Sequence, residues 1–380
     1  MASLALVVLG GEFALRLLLG RDGIAGLPRA FVDAAGERKS QWRARRAAAG
    51  ADPYGFDEPD PELGWRLRPQ ADVRSVKPGS YDVAVRANDQ GLRGAAPVPP
   101  EHPPGVLRIA VFGDSQTFGE GVEDDQTFSA LLGRGLPGVE VLNFGVHGYG
   151  TDQMLLRYEV DGRRFRPDVV VLAFAWFHAD RNSTDFSFYA KPRFELDANG
   201  ELRRANGPIE SPERFVLAPP AADESPSPLA DRSVLARWLW QRVRNLRDRA
   251  ELRTTGRAWQ LTRALVERFA AEVRDDGARF VLADIDDDQP EASAELRRLA
   301  GILGVDFVEI GPLVRAAERG GDTLRLPGDR HWNPAGHALV AAELRRRLCG
   351  GAGAEVCGAK AAPAPPALAA PPVQAPDAAR

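Results

Sequence analysis

Between residues 105 and 348, short apolar runs rich in β-branched residues alternate with stretches in which apolar positions recur every three or four residues. The runs read as strands at 107–112, 139–143, 168–174, 279–284 and 305–309, because strands covered on both faces lose their polar alternation. The periodic stretches read as amphipathic helices near 126–133, 152–160, 257–274 and 292–303. In the third of these, Leu261, Leu265, Phe269 and Val273 stand four apart and Gly277 supplies the stop. Five strands joined by crossover helices predict an α/β domain, a parallel sheet covered on both faces by right-handed connections.

The rest of the chain has other patterns. Residues 51–104 are rich in Pro and Gly, and Tyr81 to Arg86 alternates as a short strand does. With the turn-bounded pieces Leu63-Gly64-Trp65 and Asn88 to Gly94, this predicts a small β extension, read chiefly as a structural wrap without chemistry. An insertion at 185–255 holds a Pro-rich run near 219–228 and a helix carrying Trp238 and Trp240. It opens at the sheet edge where such folds bind ligands, a natural place for substrate selection, with the tryptophans read as core.

Residues 2–20 are mostly apolar, but Glu12 and Arg16 interrupt them and the clean run ends at Gly11, too short to span a bilayer. Three readings fit: the tail of a membrane helix starting upstream of Met1, an anchor lying in the interface, or a helix packed on the domain. The division expected is residues 1–20, a connector and β extension at 21–104, the catalytic region at 105–348, and an Ala/Pro-rich disordered tail at 349–380.

Composition narrows the function. A chain 44% hydrophobic and 27% charged suits a soluble catalytic region with extensions. A net charge of −4 without a basic stripe among aromatics argues against nucleic acid. Cys349 and Cys357 are close enough in sequence to form a small disulfide loop, which does not fix a compartment. The acidic run 284–288 reads as a solvated loop, and no His-Glu-x-x-His or cysteine pairing suggests a metal. No cofactor is expected.

The chemistry starts at the first strand, which stops abruptly at Gly113-Asp114-Ser115. A strand yielding there to a helix lifts one hydroxyl to the C-terminal edge of the sheet, so Ser115 is the candidate nucleophile. Taken alone, the tripeptide equally fits a turn capped by serine. The segment Asp329-Arg330-His331-Trp332-Asn333-Pro334 tips the balance. Asn333 and Pro334 read as N-cap and first residue of the last helix, which leaves Asp329 and His331 in the loop before it. In a loop the carboxylate can fold back onto the imidazole, fix its tautomer and stabilise its cation.

These motifs resemble the SGNH/GDSL family of serine esterases and acyltransferases. The matching blocks are Gly113-Asp114-Ser115-Gln116-Thr117-Phe118-Gly119, Asn143-Phe144-Gly145-Val146-His147-Gly148 and Asp329-Arg330-His331, in family order. The Asp-x-His spacing followed by Trp332 resembles the alginate O-acetyltransferase branch. The resemblance implies a three-layer α/β/α sandwich of flavodoxin type, with Ser115 as nucleophile, His331 as base and Asp329 orienting it. It also implies an oxyanion hole from the backbone N–H groups of Ser115 and Gly148. The family's third donor sits in Gly-x-Asn-Asp after the third strand, but here the stretch is Ala175-Trp176-Phe177-His178-Ala179-Asp180-Arg181-Asn182. His178 falls closest to the asparagine position and Asn182 follows, so each is a candidate third donor. Of the other histidines, His337 reads as structural, His147 as a loop side chain beside the pocket, and His102 as linker.

The expected activity is cleavage of an O-acyl ester, an acetyl group on a small molecule or polysaccharide, through an acyl-enzyme. The alternatives are an O-acetyltransferase acting on an extracytoplasmic polysaccharide and a degenerate binding module on the same fold. Relatives that carry an N-terminal membrane helix imply a bacterial, membrane-anchored enzyme working outside the cytoplasm.

Overall fold

A computed structural model describes residues 10–14, 17, 55–185, 187, 189–209, 235, 236, 239, 256–285 and 289–349. The expected Pro-rich run, Trp238, Trp240, the basic connector, most of the acidic run and the C-terminal tail lie outside the described residues. Four strands come first, β1 (Asp57–Asp60), β2 (Gly64–Leu67), β3 (Asp72–Lys77) and β4 (Tyr81–Arg86). The sheet strands follow as β5 (Leu107–Phe112), β6 (Val139–Asn143), β7 (Val169–Phe174), β10 (Arg279–Asp284) and β11 (Asp306–Glu309). A short hairpin, β8 (Phe194–Leu196) with β9 (Leu202–Arg204), interrupts them.

The five sheet strands are all parallel, in the order β11-β10-β7-β5-β6. Numbered by their own succession this is 2-1-3-4-5, the flavodoxin order. The chain leaves β5 toward one side and returns at β7 on the other. Ligand crevices in such sheets open where the order reverses, outside the strand ends, here between β5 and β7. The five strands stand within a residue of their expected positions.

Period-two alternation within each strand sorts the core into two layers. Ala110, Phe112, Leu172, Phe174 and Leu282 face one side, where they meet α3 (Thr151–Val160), α5 (Arg257–Asp275) and α6 (Pro290–Leu303). Ile109, Val111, Val171, Ala173 and Val281 face the other, against α2 (Phe128–Gly133), α7 (Gly311–Arg319) and α8 (Pro334–Cys349). The predicted stripe of α5 is all inside, with Leu265, Phe269 and Val273 fully covered. The predicted helix at 126–133 begins two residues later, after a 3₁₀ turn at Asp124–Gln126, because the Thr127 hydroxyl caps it by accepting from Ala130 N at 3.2 Å. The helix α7 and the β8–β9 hairpin lie beyond the expected elements.

The N-terminal extension consists of two antiparallel hairpins, β1–β2 and β3–β4. Phe56, Leu67, Ala71, Val85 and Ala87 form a small core that closes on Phe118. Trp65 Nε1 donates to His147 O at 3.1 Å and Gln153 Nε2 to Leu63 O at 2.8 Å, so the extension is also pinned to the loop after β6. Among the described residues no helix is long and apolar enough to cross a membrane. Cys349, at the end of α8, is disulfide-bonded, and Cys357 lies outside the described residues.

Candidate active site

The turn after β5 gives each residue of Gly113-Asp114-Ser115 a separate task. Gly113 has no room for a side chain, since a Cβ there would stand 1.9 Å from Thr117 Oγ1 and 3.2 Å from Ala173 Cβ. Asp114 is the N-cap of the four-residue helix α1 (Ser115–Phe118), accepting from Gln116 N at 3.1 Å. Serine is therefore not the cap. Ser115 opens the helix, where its backbone N–H has no partner within the helix and its hydroxyl stands at the sheet edge. The second block braces this turn from beneath. Asn143 Nδ2 donates to Thr117 O at 2.8 Å while its Oδ1 accepts from Gly145 N at 2.9 Å. Gly145 packs so tightly on α1 that a Cβ would meet Phe118 N at 2.2 Å.

The loop before α8 carries the acid and the base as the sequence predicts. Asn333 Oδ1 accepts from Ala335 N at 2.9 Å and from Gly336 N at 3.0 Å, the expected N-cap. Upstream, Leu326 N donates to His331 O at 3.0 Å and Asp329 N to Leu326 O at 3.1 Å, closing a tight turn. Gln116, next to Ser115, clasps this turn: its Nε2 donates to Arg330 O at 3.3 Å and its Oε1 accepts from Trp332 N at 3.2 Å. Trp332 is buried against Phe128 and His337 and fixes the loop from behind.

The result is a hydrogen-bonded line of three side chains. His331 Nε2 lies 2.8 Å from Ser115 Oγ, and His331 Nδ1 lies 2.6 Å from Asp329 Oδ1. Asp329 Oδ1 also accepts from His331 N at 2.9 Å, which fixes the carboxylate relative to the ring. The His331 hydrogen bond holds the Asp329 carboxyl well below the usual carboxylate range, against its burial, and Lys77 adds to the effect. For His331, burial pulls its proton affinity down. The Asp329 hydrogen bond and the charges of Glu120, Asp329 and Asp114 outweigh that and leave it raised. Such a line moves a proton from the hydroxyl to the imidazole while the carboxylate stabilises the cation.

The third-donor expectations are corrected by the geometry after β7. His178 opens the short helix α4 (His178–Asn182), with its ring buried. Its Nδ1 accepts from Ala175 N at 3.2 Å and its Nε2 lies 3.4 Å from Asp114 Oδ2, so the ring turns beneath the serine turn. Asn182 is equally committed: Nδ2 donates to Thr262 Oγ1 at 2.9 Å and Oδ1 accepts from Asp152 N at 3.2 Å. Neither side chain is available as an oxyanion donor in this arrangement. The side chain that does line the cavity with Ser115 is Arg181, which the motif comparison passed over. Its Nη1 donates to Asp114 Oδ2 and to Tyr149 O, both at 2.9 Å. With His178 it holds the wholly buried Asp114 far below its ordinary carboxyl range, against the cost of burial. The signal was present in the sequence: a buried aspartate needs a cation, and Arg181 follows the third strand by a short turn. Gly148 is buried with φ +76°, a conformation that favours glycine in this loop.

The remaining histidines sort by contact. His147 is buried and lies 2.7 Å from Asp57 Oδ2, turned to the extension and away from the pocket its sequence position suggested. His337 Nδ1 accepts from Phe128 N at 3.1 Å, and burial pushes its proton affinity down to about 3, the structural residue expected. His102 stands 2.9 Å from Asp168 Oδ2 in the linker before β5. The cavity over Ser115 has a volume of about 420 Å³, and its walls include Trp176, Phe177, Arg181, Arg325 and Arg330.

The family model of the GDSL-like lipase/acylhydrolases matches residues 111–339, more than half of the chain. The solved structure of TesA aligns with 63% of this chain and 97% of its own length, at 13% identity and a TM-score of 0.38. The acetyl xylan esterase AlAXEase aligns over 63% and 98% at 15% identity and 0.37. A catalytic mutant of Axe2, an acetylxylan esterase from Geobacillus stearothermophilus, aligns over 64% and 94% at 14% identity and 0.36. Scores this low carry no argument of their own. A comparison with curated protein sequences finds no match. The family match, on a chain whose three blocks meet at one sheet edge, makes this protein a member of the GDSL-like lipase/acylhydrolase family, an acyl-ester hydrolase on the SGNH fold.

Proposed function

We propose that the protein cleaves a short O-acyl ester, an acetyl group on a carbohydrate, by a Ser115-His331-Asp329 triad through a covalent acyl-enzyme. The observation that carries this reading is the 2.8 Å contact between His331 Nε2 and Ser115 Oγ, with Asp329 on the far ring nitrogen. His331 takes the hydroxyl proton as Ser115 Oγ attacks the carbonyl carbon, and the carbonyl electrons move onto oxygen. The N–H groups of Ser115 and Gly148 receive that oxyanion. As it collapses, His331 returns the proton to the leaving alcohol. Water then adds to the acyl-serine by the same steps, releasing the acid.

A polar alcohol suits a cavity walled by two aromatic rings and three guanidinium groups better than a long acyl chain does. Trp176 and Phe177 offer faces on which a sugar ring can rest, and the arginines offer hydrogen bonds to its hydroxyls. A transferase differs only in the second step, where a sugar hydroxyl replaces water. The Asp-x-His-Trp spacing favours keeping that as the second reading. Anchoring through residues 2–20 and work outside the cytoplasm remain part of this proposal.

The test is hydrolysis of p-nitrophenyl esters from acetate to octanoate, and of acetylated oligosaccharides, by the wild type and Ser115→Ala. The expected result is a preference for acetate and a loss on the order of 10³-fold or more in kcat in the variant. Equal rates for the two proteins would remove the triad, and a preference for octanoate would remove the short-acyl reading.

A further inference from the structure

We propose that the β3–β4 hairpin belongs to the working site, with Lys77 as a positioning residue that fixes Asp329 and offsets the carboxylates gathered around His331. This rests on the triad reading above and extends it to a segment that precedes the family-matched region.

The geometry is specific. Asp329 Oδ1 is engaged with His331, and its other oxygen, Oδ2, lies 2.5 Å from Lys77 Nζ. The carboxylate is thus held at both oxygens, and its side chain is only 6% exposed. An aspartate in a short turn is free to swing about its Cβ–Cγ bond. A second tether on Oδ2 removes that freedom and keeps Oδ1 in line with His331 Nδ1.

Lys77 does not reach the site from a loose arm. It pairs across the hairpin with Tyr81, next to the turn, and the Tyr81 hydroxyl lies 3.5 Å from Glu120 Oε1. Glu120 Oε2 in turn lies 3.7 Å from His331 Nε2. The hairpin therefore contacts both carboxylates that flank the imidazole. It is anchored there by Ala84 N, which donates to the Glu123 carboxylate at 3.2 Å, and by Arg93 Nη2, which donates to Ala84 O and Val122 O. Gly121, at φ +82°, leaves the room required, since a Cβ there would stand 2.3 Å from Leu326 Cδ1 and 2.8 Å from the Tyr81 ring.

The electrostatic sense of the contact follows from the charges around His331. Asp329, Glu120 and Asp114 all favour its protonated form. Arg330 is its chain neighbour, Arg325 donates to Arg330 O, Arg181 stands across the cavity, and His337 packs behind Trp332. A general base must be unprotonated to act, so three carboxylates on one imidazole press it toward the wrong state at neutral pH. The Lys77 ammonium on Asp329 opposes that pressure without touching the ring.

The experiment compares wild type, Lys77→Met, Lys77→Arg and Ser115→Ala. The His331 ring is titrated by NMR, and kcat and KM for p-nitrophenyl acetate are measured against pH. Lys77→Met should move the His331 midpoint upward by on the order of half a pH unit. The acidic limb of kcat/KM should move with it. In the same variant kcat should fall about tenfold while KM stays within about twofold, because orientation and not binding is lost. Lys77→Arg keeps the charge and reach and should restore both. An unmoved midpoint and kcat in Lys77→Met would overturn the proposal, as would Lys77→Arg behaving like the methionine variant. Should Lys77→Met not fold, Lys77→Gln carries the same expectations. If Ser115→Ala retains wild-type turnover, the esterase reading fails instead, and the NMR midpoint still decides whether Lys77 acts on His331.

Discussion

The turns after β5 and after β7 leave the sheet side by side, yet they stand very differently against the family pattern. The first keeps Gly-Asp-Ser, and each residue does a job that only its own side chain permits: close approach, helix cap and exposed hydroxyl. The second replaces Gly-x-Asn-Asp, and its polar side chains face inward. Asp114 connects the two. Its carboxylate is wholly buried, and an uncompensated charge there would be severely destabilising, so the second turn supplies Arg181 and His178 to it. The departure after β7 follows from neutralising a buried charge, and it leaves the oxyanion hole to backbone donors.

The sharpest way to break that comparison is Arg181→Met. It strands Asp114 without its cation and should cost about 3 kcal/mol of stability by denaturant unfolding. Adding Asp114→Asn in the same chain should return part of that loss. No coupling between the two substitutions would mean that Arg181 is not there for Asp114.

Asn182→Ala comes next. Two buried hydrogen bonds disappear, to Thr262 Oγ1 and Asp152 N, for about 2 kcal/mol. Turnover per folded molecule should stay within about threefold of wild type, since the side chain does not face the oxyanion. A fall of about a hundredfold at unchanged KM would make Asn182 the missing donor after all.

The smallest effect separates the two histidines of the last segment. His331 is raised by its carboxylates, whereas buried His337 is lowered from 6.5 to about 3. A lowered base is neutral in the fold and binds protons more readily when unfolded. Its contribution is fully present above pH 6.5 and is lost as pH falls toward 3. The predicted slope within that window is up to about 1.4 kcal/mol per pH unit. His337→Gln, which does not titrate, should flatten the stability curve there, and an unchanged slope would count against a neutral buried ring.

What the sequence reveals and what it hides divides along the range of the interactions. Strands 107–112 and 279–284 are legible because a buried parallel strand is apolar at almost every position. Asp329 and His331 are legible because two residues in a loop before a capped helix have few ways to face each other. Arg108 is not: it sits fully buried inside the first strand, bonded to Glu140, Phe165 O and Pro99 O, and no local pattern announces that. The ion pair of Lys191 with Asp152 is hidden for the same reason, both groups being fully buried and 39 residues apart. Lys77 and Asp329 are separated by 252 residues, and the extension that joins them reads in the sequence as a mere wrap. His178 and Asn182 mislead because position in a motif fixes the backbone, while the nearest unpaired buried group decides where the side chain turns.

The most direct measurement is rapid-mixing release of p-nitrophenolate from p-nitrophenyl acetate by wild type and Ser115→Ala. A burst stoichiometric with protein, followed by slower turnover and absent in the variant, is the predicted result. A slow phase quickened by added sugar would assign the transferase second step. Identical traces from the two proteins, with no burst in either, would contradict covalent acyl transfer at Ser115.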